Sequence, residues 1–160
     1  MILEIDTREK PRAIEKIVDY LQQHEIRYVR TKLYYGDYRI MEHPLRVVDR
    51  KQNIAELAKN CTVERKRFRA ELERCAEVGG ELIILVEQNQ YSDRGNKVKV
   101  RSIEDLVLWS SPHTQIRGEQ VFRVLSSWCY KYPIRVEFCG KRSTGKRIME
   151  ILRDGHEEER

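Results

Sequence analysis

The sequence is poor in cysteine, proline and glycine, and it has no long apolar run. Its four cysteines, Cys61, Cys75, Cys129 and Cys139, stand far apart, and no two are spaced as Cys-x-x-Cys. That argues against a zinc framework and against a disulfide-stapled scaffold. They are expected to be reduced packing residues of a cytosolic protein, with Cys75 on the apolar side of a helix. No stretch reaches the roughly 20 apolar residues that a membrane-spanning helix needs. The opening residues, Met1-Ile2-Leu3-Glu4-Ile5-Asp6, lack the basic region and following apolar stretch of a secretory signal. An intracellular, cytoplasmic protein is therefore expected, nucleoid-associated if prokaryotic. No internal repeat and no Pro/Gly/Ser-rich linker divides the chain, and 160 residues suit one domain with one core.

What is present is charge: 36% of residues are charged against 40% hydrophobic. Lysine and arginine outnumber aspartate and glutamate by 31 to 26, a net charge of +5. This modest excess is compatible with a phosphate-bearing partner and proves none. Residues 2–6 read as a short strand. Pro11 suits the first turn of a helix, and Ile14, Ile17, Val18 and Leu21 recur at helical spacing to about His24. Strands are expected over Tyr28–Leu33, Tyr38–Met41 and Arg46–Lys51, the last two joined by a turn at Glu42-His43-Pro44-Leu45. Asn53 is placed to cap a short helix through Ala58. A stronger helix is expected over Val63–Val78, with Phe68, Leu72 and Cys75 on one face and Gly79-Gly80 as its stop. Its charged residues Glu64 to Arg69 read as a solvated face, with Arg67–Glu71 and Arg69–Glu73 at pairing distance. The run Leu82-Ile83-Ile84-Leu85-Val86 reads as a strand covered on both faces. Gln88–Lys99 reads as a long loop, followed by helices at 103–110 and 118–131, a strand at 134–138 and a helix at 143–152. Strands interspersed with helices indicate an α/β layered domain with a mixed sheet over residues 1–153, and 154–160 form a charged tail.

Chemistry concentrates in the hairpin from Gly36 to Lys51. Side chains alternate along a strand, so Asp49 and Lys51 share one face and Arg50 takes the other. A turn centred on His43 places Asp37 opposite Asp49; one centred between His43 and Pro44 places Tyr38 there. In either register two carboxylates and an amine converge. Magnesium takes hard oxygen ligands, usually one or two carboxylates with waters and substrate phosphate. A metal held there polarises a phosphoryl oxygen and acidifies a bound water, and a neighbouring lysine offsets developing negative charge. The Arg50 carbonyl is a further candidate ligand. The same residues would equally form a surface salt-bridge cluster.

Three motifs extend this reading: Ile5-Asp6-Thr7-Arg8-Glu9, then Gly36-Asp37-Tyr38, then Val47-Val48-Asp49-Arg50-Lys51. In this order they resemble the nuclease domain of the XPF family, whose pattern is Asp-x-Arg-Glu, Gly-Asp-Tyr and Glu-Arg-Lys with an Asp a few residues on. The resemblance implies a restriction-endonuclease-like PD-(D/E)xK domain: three layers, with a central mixed sheet flanked by helices. It implies an endodeoxyribonuclease dependent on Mg²⁺ or Mn²⁺ and acting on branched, flapped or forked DNA. By position, Asp37 and Asp49 would bind the metal, Lys51 would assist the water, and Asp6 would be a further acidic member of the site. Arg8 would contact DNA phosphate or support the acidic cluster, with Glu9 and Arg50 in supporting roles. Two departures stand out. Asp49 replaces the usual Glu, and Ala55 occupies the place of the downstream Asp. The neighbouring Glu56 is turned from it by about 100° on a helix.

Other signals are weaker. Residues Gly140 to Arg147 nearly match a phosphate-binding loop, but Arg147 stands where Ser or Thr should hold Mg²⁺, and no nucleotide cofactor is expected. Ser143 or Thr144 reads as a helix cap, while Lys141, Arg142 and Lys146 are positioned to meet a DNA phosphate. Arg94, Lys97, Lys99 and Arg101 read either as a DNA-tracking stretch or as a solvated loop. Trp109, Trp128, Tyr130 and Tyr132 read as core or interface anchors. The resemblance favours an interface, a homodimer through the C-terminal helices. The rival functional reading is a non-catalytic DNA-binding or scaffolding subunit of a nuclease complex.

Overall fold

The computed structural model describes residues 1–88 and 99–157. Six strands form one sheet in the order β2-β1-β3-β4-β5-β6. They are β1 (Leu3–Asp6), β2 (Tyr28–Thr31), β3 (Tyr38–Ile40), β4 (His43–Lys51), β5 (Glu81–Gln88) and β6 (Ile134–Gly140). β3 runs antiparallel to both its neighbours, while β1 with β2, and β4 with β5 and β6, pair in parallel. Five strands therefore point the same way. The carboxyl ends of β1, β4, β5 and β6 and the start of β3 meet at one edge of the sheet. Such an edge is where open α/β sheets place their ligands.

Helices cover both faces: α1 (Glu15–Gln23), α2 (Ile54–Asn60), α3 (Arg65–Glu77), α4 (Gly118–Lys131) and α5 (Thr144–Glu157), with short 3₁₀ helices at Pro11–Ile14 and Ile103–Leu108. The sheet separates two cores. One packs Val47, Leu82, Ile84 and Val86 against Leu57, Phe68, Leu72, Leu125 and Trp128. The other packs Val48, Ile83, Leu85 and Tyr38 against Ile17, Leu21, Ile148 and Ile151. Alternation along β4 and β5 assigns odd and even residues to opposite cores, so Val47-Val48 and Leu82 to Val86 are apolar on both faces. The three-layer mixed-sheet expectation is met.

Besides shifts of about two residues at the ends of β2, α3 and β6, three departures from the sequence reading stand out. The hairpin turns at Met41-Glu42, and His43 to Leu45 belong to β4. Ile40 faces His43, but Arg39 faces Val47 and Tyr38 faces Val48, with a register shift between Arg39 and Ile40. Pro44 lies in that bulge, where a residue without an N–H costs no ladder bond. The bulge restores the register of the His43-centred alternative, with Asp37 across from Asp49. The second difference is the segment 103–110, which is a short 3₁₀ helix ending at Leu108. The third is α5, which continues through Glu157, past the boundary expected at Asp154. Gly79, with φ of +70°, ends α3 in the left-handed conformation.

Candidate active site

A cleft of about 470 Å³ opens at the shared strand edge, between the β3–β4 pair and α2 with α3. Asp37 reaches it from the turn before β3. Its N–H donates to Val48 O at 2.8 Å, and its Oδ2 accepts the Arg50 N–H at 2.8 Å. The second carboxylate oxygen is left for another partner. Gly36 makes this turn possible. Its φ is +70°, and a Cβ there would stand 2.3 Å from Val47 Cγ1.

Asp49 and Lys51 enter from the same face of β4, and both are buried. Lys51 Nζ lies 2.7 Å from Asp49 Oδ2 and 4.4 Å from the centre of the Phe68 ring. No donor is directed along a hydrogen-bond axis at that buried oxygen, so the contact is one of charge. A third carboxylate, Glu71 of α3, lines the same cleft and accepts the Gly36 N–H at 2.8 Å. Burial pushes the Asp37 carboxyl well above its usual range, and repulsion from Asp49 and Glu9 adds to the rise. Burial and Asp49 likewise push Glu71 up. Burial alone would lower Lys51, but Asp49, then Asp37 and Glu71, outweigh it and keep the ammonium charged.

These observations test the fit of a metal. Asp37, Asp49 and Glu71 crowd negative charge around a single buried lysine, with Asp49 Oδ2 lacking a directed donor. Added positive charge fits there, and the donors are hard carboxylate oxygens. Among the described residues no three His, Cys, Asp or Glu side chains enclose an ion-sized space. The carboxylates at the open cleft are hard donors of the kind a divalent cation takes together with water and phosphate.

The other sequence-chosen residues brace this cleft. Arg50 turns to the opposite face of β4. It donates from Nε and Nη2 to Glu9, the latter at 2.7 Å, and from Nη1 to Glu87 at 3.2 Å. All three side chains are buried. Asp6 does not line the cleft. Its carboxylate is engaged by Arg8 N and Nε at 2.8 and 2.7 Å, by Arg8 Nη2 at 3.3 Å and by Leu33 N at 2.7 Å. Burial pushes the Asp6 carboxyl up, but these donors outweigh it and hold the group below its usual value. A carboxylate so engaged orients Arg8 and is not presented to an ion in the cleft. Arg8 is half exposed at the cleft and also reaches Gly36 O.

Sequence reasoning missed Glu71 and Glu87. Glu71 was expected to pair with Arg67 on a solvated face, but Arg67 pairs with Glu64. The signal was present, since Glu71 stands three residues after Phe68 and four before Cys75, within the buried stripe of α3. The Arg69–Glu73 pair forms at 3.8 Å. Ala55 packs on the core, and Glu56 accepts the Gln52 N–H as part of the α2 cap. Lys59, Arg67 and Arg74 line the cleft beside Arg8 and Lys10. Lys99, Arg101, Arg142 and Lys146 are exposed and Lys141 is half-buried, none of them in the cleft. Arg94 and Lys97 lie outside the described residues. Trp109 and Trp128 are core residues, whereas Tyr130 is 92% exposed. No described helix is long and apolar enough to cross a membrane.

The chain belongs to the ERCC4 domain family, whose model matches residues 5–150. It carries an XPF-type nuclease domain. Its fold is similar to XPF from Aeropyrum pernix, with a TM-score of 0.65 at 18% identity over 97% of this chain and 61% of that one. A second structure, XPF from Aeropyrum pernix in complex with DNA, gives 0.64 at 18% identity over 98% and 66% of the two chains. The chain thus spans less than two thirds of the length of either structure. No curated protein sequence matches it.

Proposed function

We propose that this chain is a divalent-metal-dependent endonuclease that hydrolyses DNA phosphodiesters, at branched, flapped or forked structures. The observation that carries the reading is the pair Asp37 and Asp49 with Lys51 held 2.7 Å from Asp49. It sits in a cleft rimmed by Arg8, Lys59, Arg67 and Arg74. Asp37 and Asp49 would hold Mg²⁺ or Mn²⁺, which supplies Lewis acidity and an acidified water when bound. Lys51, kept charged by its neighbours, orients the attacking water and offsets the charge that builds on the oxygens of the pentacoordinate phosphorus. Arg8, oriented by Asp6, holds a phosphate oxygen, and its planar fork suits that contact. Arg50 and Glu9 fix the end of β4, so that the Arg50 N–H keeps Asp37 in place. The cationic rim binds the DNA backbone without reading sequence. Lys99, Arg101, Lys141, Arg142 and Lys146 extend that contact, the last three beyond the carboxyl end of β6.

The test is cleavage of end-labelled linear, flap and fork DNA with Mg²⁺, with Mn²⁺ and with EDTA, using Asp49→Ala as control. Metal-dependent cutting that is lost in Asp49→Ala supports the reading; cutting retained by a well-folded Asp49→Ala protein overturns the site. A second reading, a non-catalytic DNA-binding or scaffolding subunit, is favoured by Ala55, which gives the core a methyl group where the family has an acid. It predicts DNA binding without cutting under every metal. Pairing of two copies through the C-terminal helices accords with the exposed Leu108 and Tyr130 beside the buried tryptophans.

A further inference from the structure

α3 grips the turn that carries Asp37. Glu71 Oε1 accepts the Gly36 N–H at 2.8 Å, and Arg74 Nε donates to Tyr34 O at 3.0 Å. The Arg74 guanidinium also lies over the Tyr34 ring, 5.7 Å from its centre. These residues are three apart on the helix, so one stripe of α3 reaches one turn of the chain. Arg74 binds the turn from the rim. Glu71 does so from inside the cleft, where it repels Asp49 and is attracted by Lys51 and Arg8. A residue needed only to tie down Gly36 would do as well uncharged. A carboxylate among two other carboxylates costs the empty site energy, and an added cation would recover it.

We propose that Glu71 is a positioning residue of the nuclease centre, which sets Asp37 through the Gly36 N–H and raises divalent-cation affinity through its charge. The inference rests on the proposed metal-dependent reading. It separates two tasks within one side chain. The oxygen that accepts from Gly36 is needed for geometry and survives in glutamine. The charge is needed for the cation and does not.

The experiment is titration of Mn²⁺ into the DNA-free protein, followed by calorimetry, for the wild type, Glu71→Gln, Glu71→Ala, Asp49→Asn and Glu73→Gln. Glu73, on the exposed side of α3, controls for loss of any acidic charge. Glu71→Gln is expected to melt, without metal, at or above the wild-type temperature and to weaken Mn²⁺ binding about tenfold, in the range seen for groups that act through a ligand. Glu71→Ala weakens it further, and Glu73→Gln leaves it unchanged. In cleavage, the Mg²⁺ concentration for half-maximal rate rises in Glu71→Gln while the rate at saturating Mg²⁺ stays within a few-fold. Wild-type Mn²⁺ affinity in Glu71→Gln, with Asp49→Asn impaired, overturns the role of the charge and leaves the site standing. Absence of Mn²⁺ binding in the wild type overturns the metal-dependent reading and this inference together.

Discussion

Replacing Arg50 with methionine removes the cation that, among the described residues, pairs with the buried side chains of Glu9 and Glu87. Arg50 is 6% exposed at its side chain, and Glu9 and Glu87 are 6% and 7% exposed, so water cannot take its place. Breaking a buried ion pair by deleting one partner costs about 3–5 kcal/mol, because a charge is left uncompensated. Here two carboxylates are stranded, and Arg50→Met is expected at about 4 kcal/mol. With a urea slope of about 2 kcal/mol per molar, the unfolding midpoint falls by about 2 M. The informative partner is the triple variant Glu9→Met, Arg50→Met and Glu87→Met. It removes all three charges, and exchange of a whole buried ion group for well-packed apolar residues of similar volume is often close to neutral. The triple variant should therefore regain most of the lost stability. Urea unfolding followed by circular dichroism measures both. An Arg50→Met midpoint within about 0.5 M of wild type, which is about 1 kcal/mol, would refute the reasoning, as would a triple variant no better than the single one.

Three further outcomes follow from the geometry. Gly36→Ala meets both a left-handed backbone and the Val47 side chain, and is expected to destabilise by about 3 kcal/mol in thermal unfolding; a loss under 1 kcal/mol contradicts the turn as described. Asp6→Asn puts an amide where four donated bonds converge, and should cost about 2 kcal/mol at pH 7. Because the folded carboxyl lies below its unfolded value, this stabilisation is full above about pH 4 and fades as pH falls through the folded value, so the wild-type and variant stabilities converge in acid. A gap that instead widens in acid contradicts the Arg8 pairing. Burial pushes the Cys61 thiol up to about 12 and Cys75 to about 11, so neither should react with a disulfide reagent at pH 8 until the protein unfolds; mass spectrometry of the labelled native protein reads this directly.

Much of this was legible from residue order, and the exceptions have physical causes. Period-two alternation placed Asp49 and Lys51 on one face and Arg50 on the other, and the structure agrees because β4 pairs with β5 without a break from Arg46 to Lys51, past the bulge. The hairpin was harder. His43-Pro44 has the composition of a turn, yet the chain turns two residues earlier and absorbs the proline in a bulge. Glu71 was hidden by its neighbours, since a helix with so many charges reads as solvated on every face except its apolar stripe. Glu87 was hidden differently. Its partner is 37 residues away in sequence, and only the parallel pairing of β4 with β5 brings the two together.

The division of β4 between two separate cores has a consequence for how such a protein can change. Its odd residues, 49 and 51, address the cleft, while its even residue, 50, addresses a brace on the far side of the sheet. The two groups point to opposite faces but are coupled at Asp37, which accepts the Arg50 N–H and is repelled by Glu9. A lineage could lose Asp49 and keep a sound fold, becoming an inert binder. A change at the Arg50 brace, by contrast, reaches Asp37 through the end of β4. Laboratory selection for a new metal should accordingly gather its changes around Asp49 and Glu71, on the face of β4 and α3 that the Arg50 brace does not occupy.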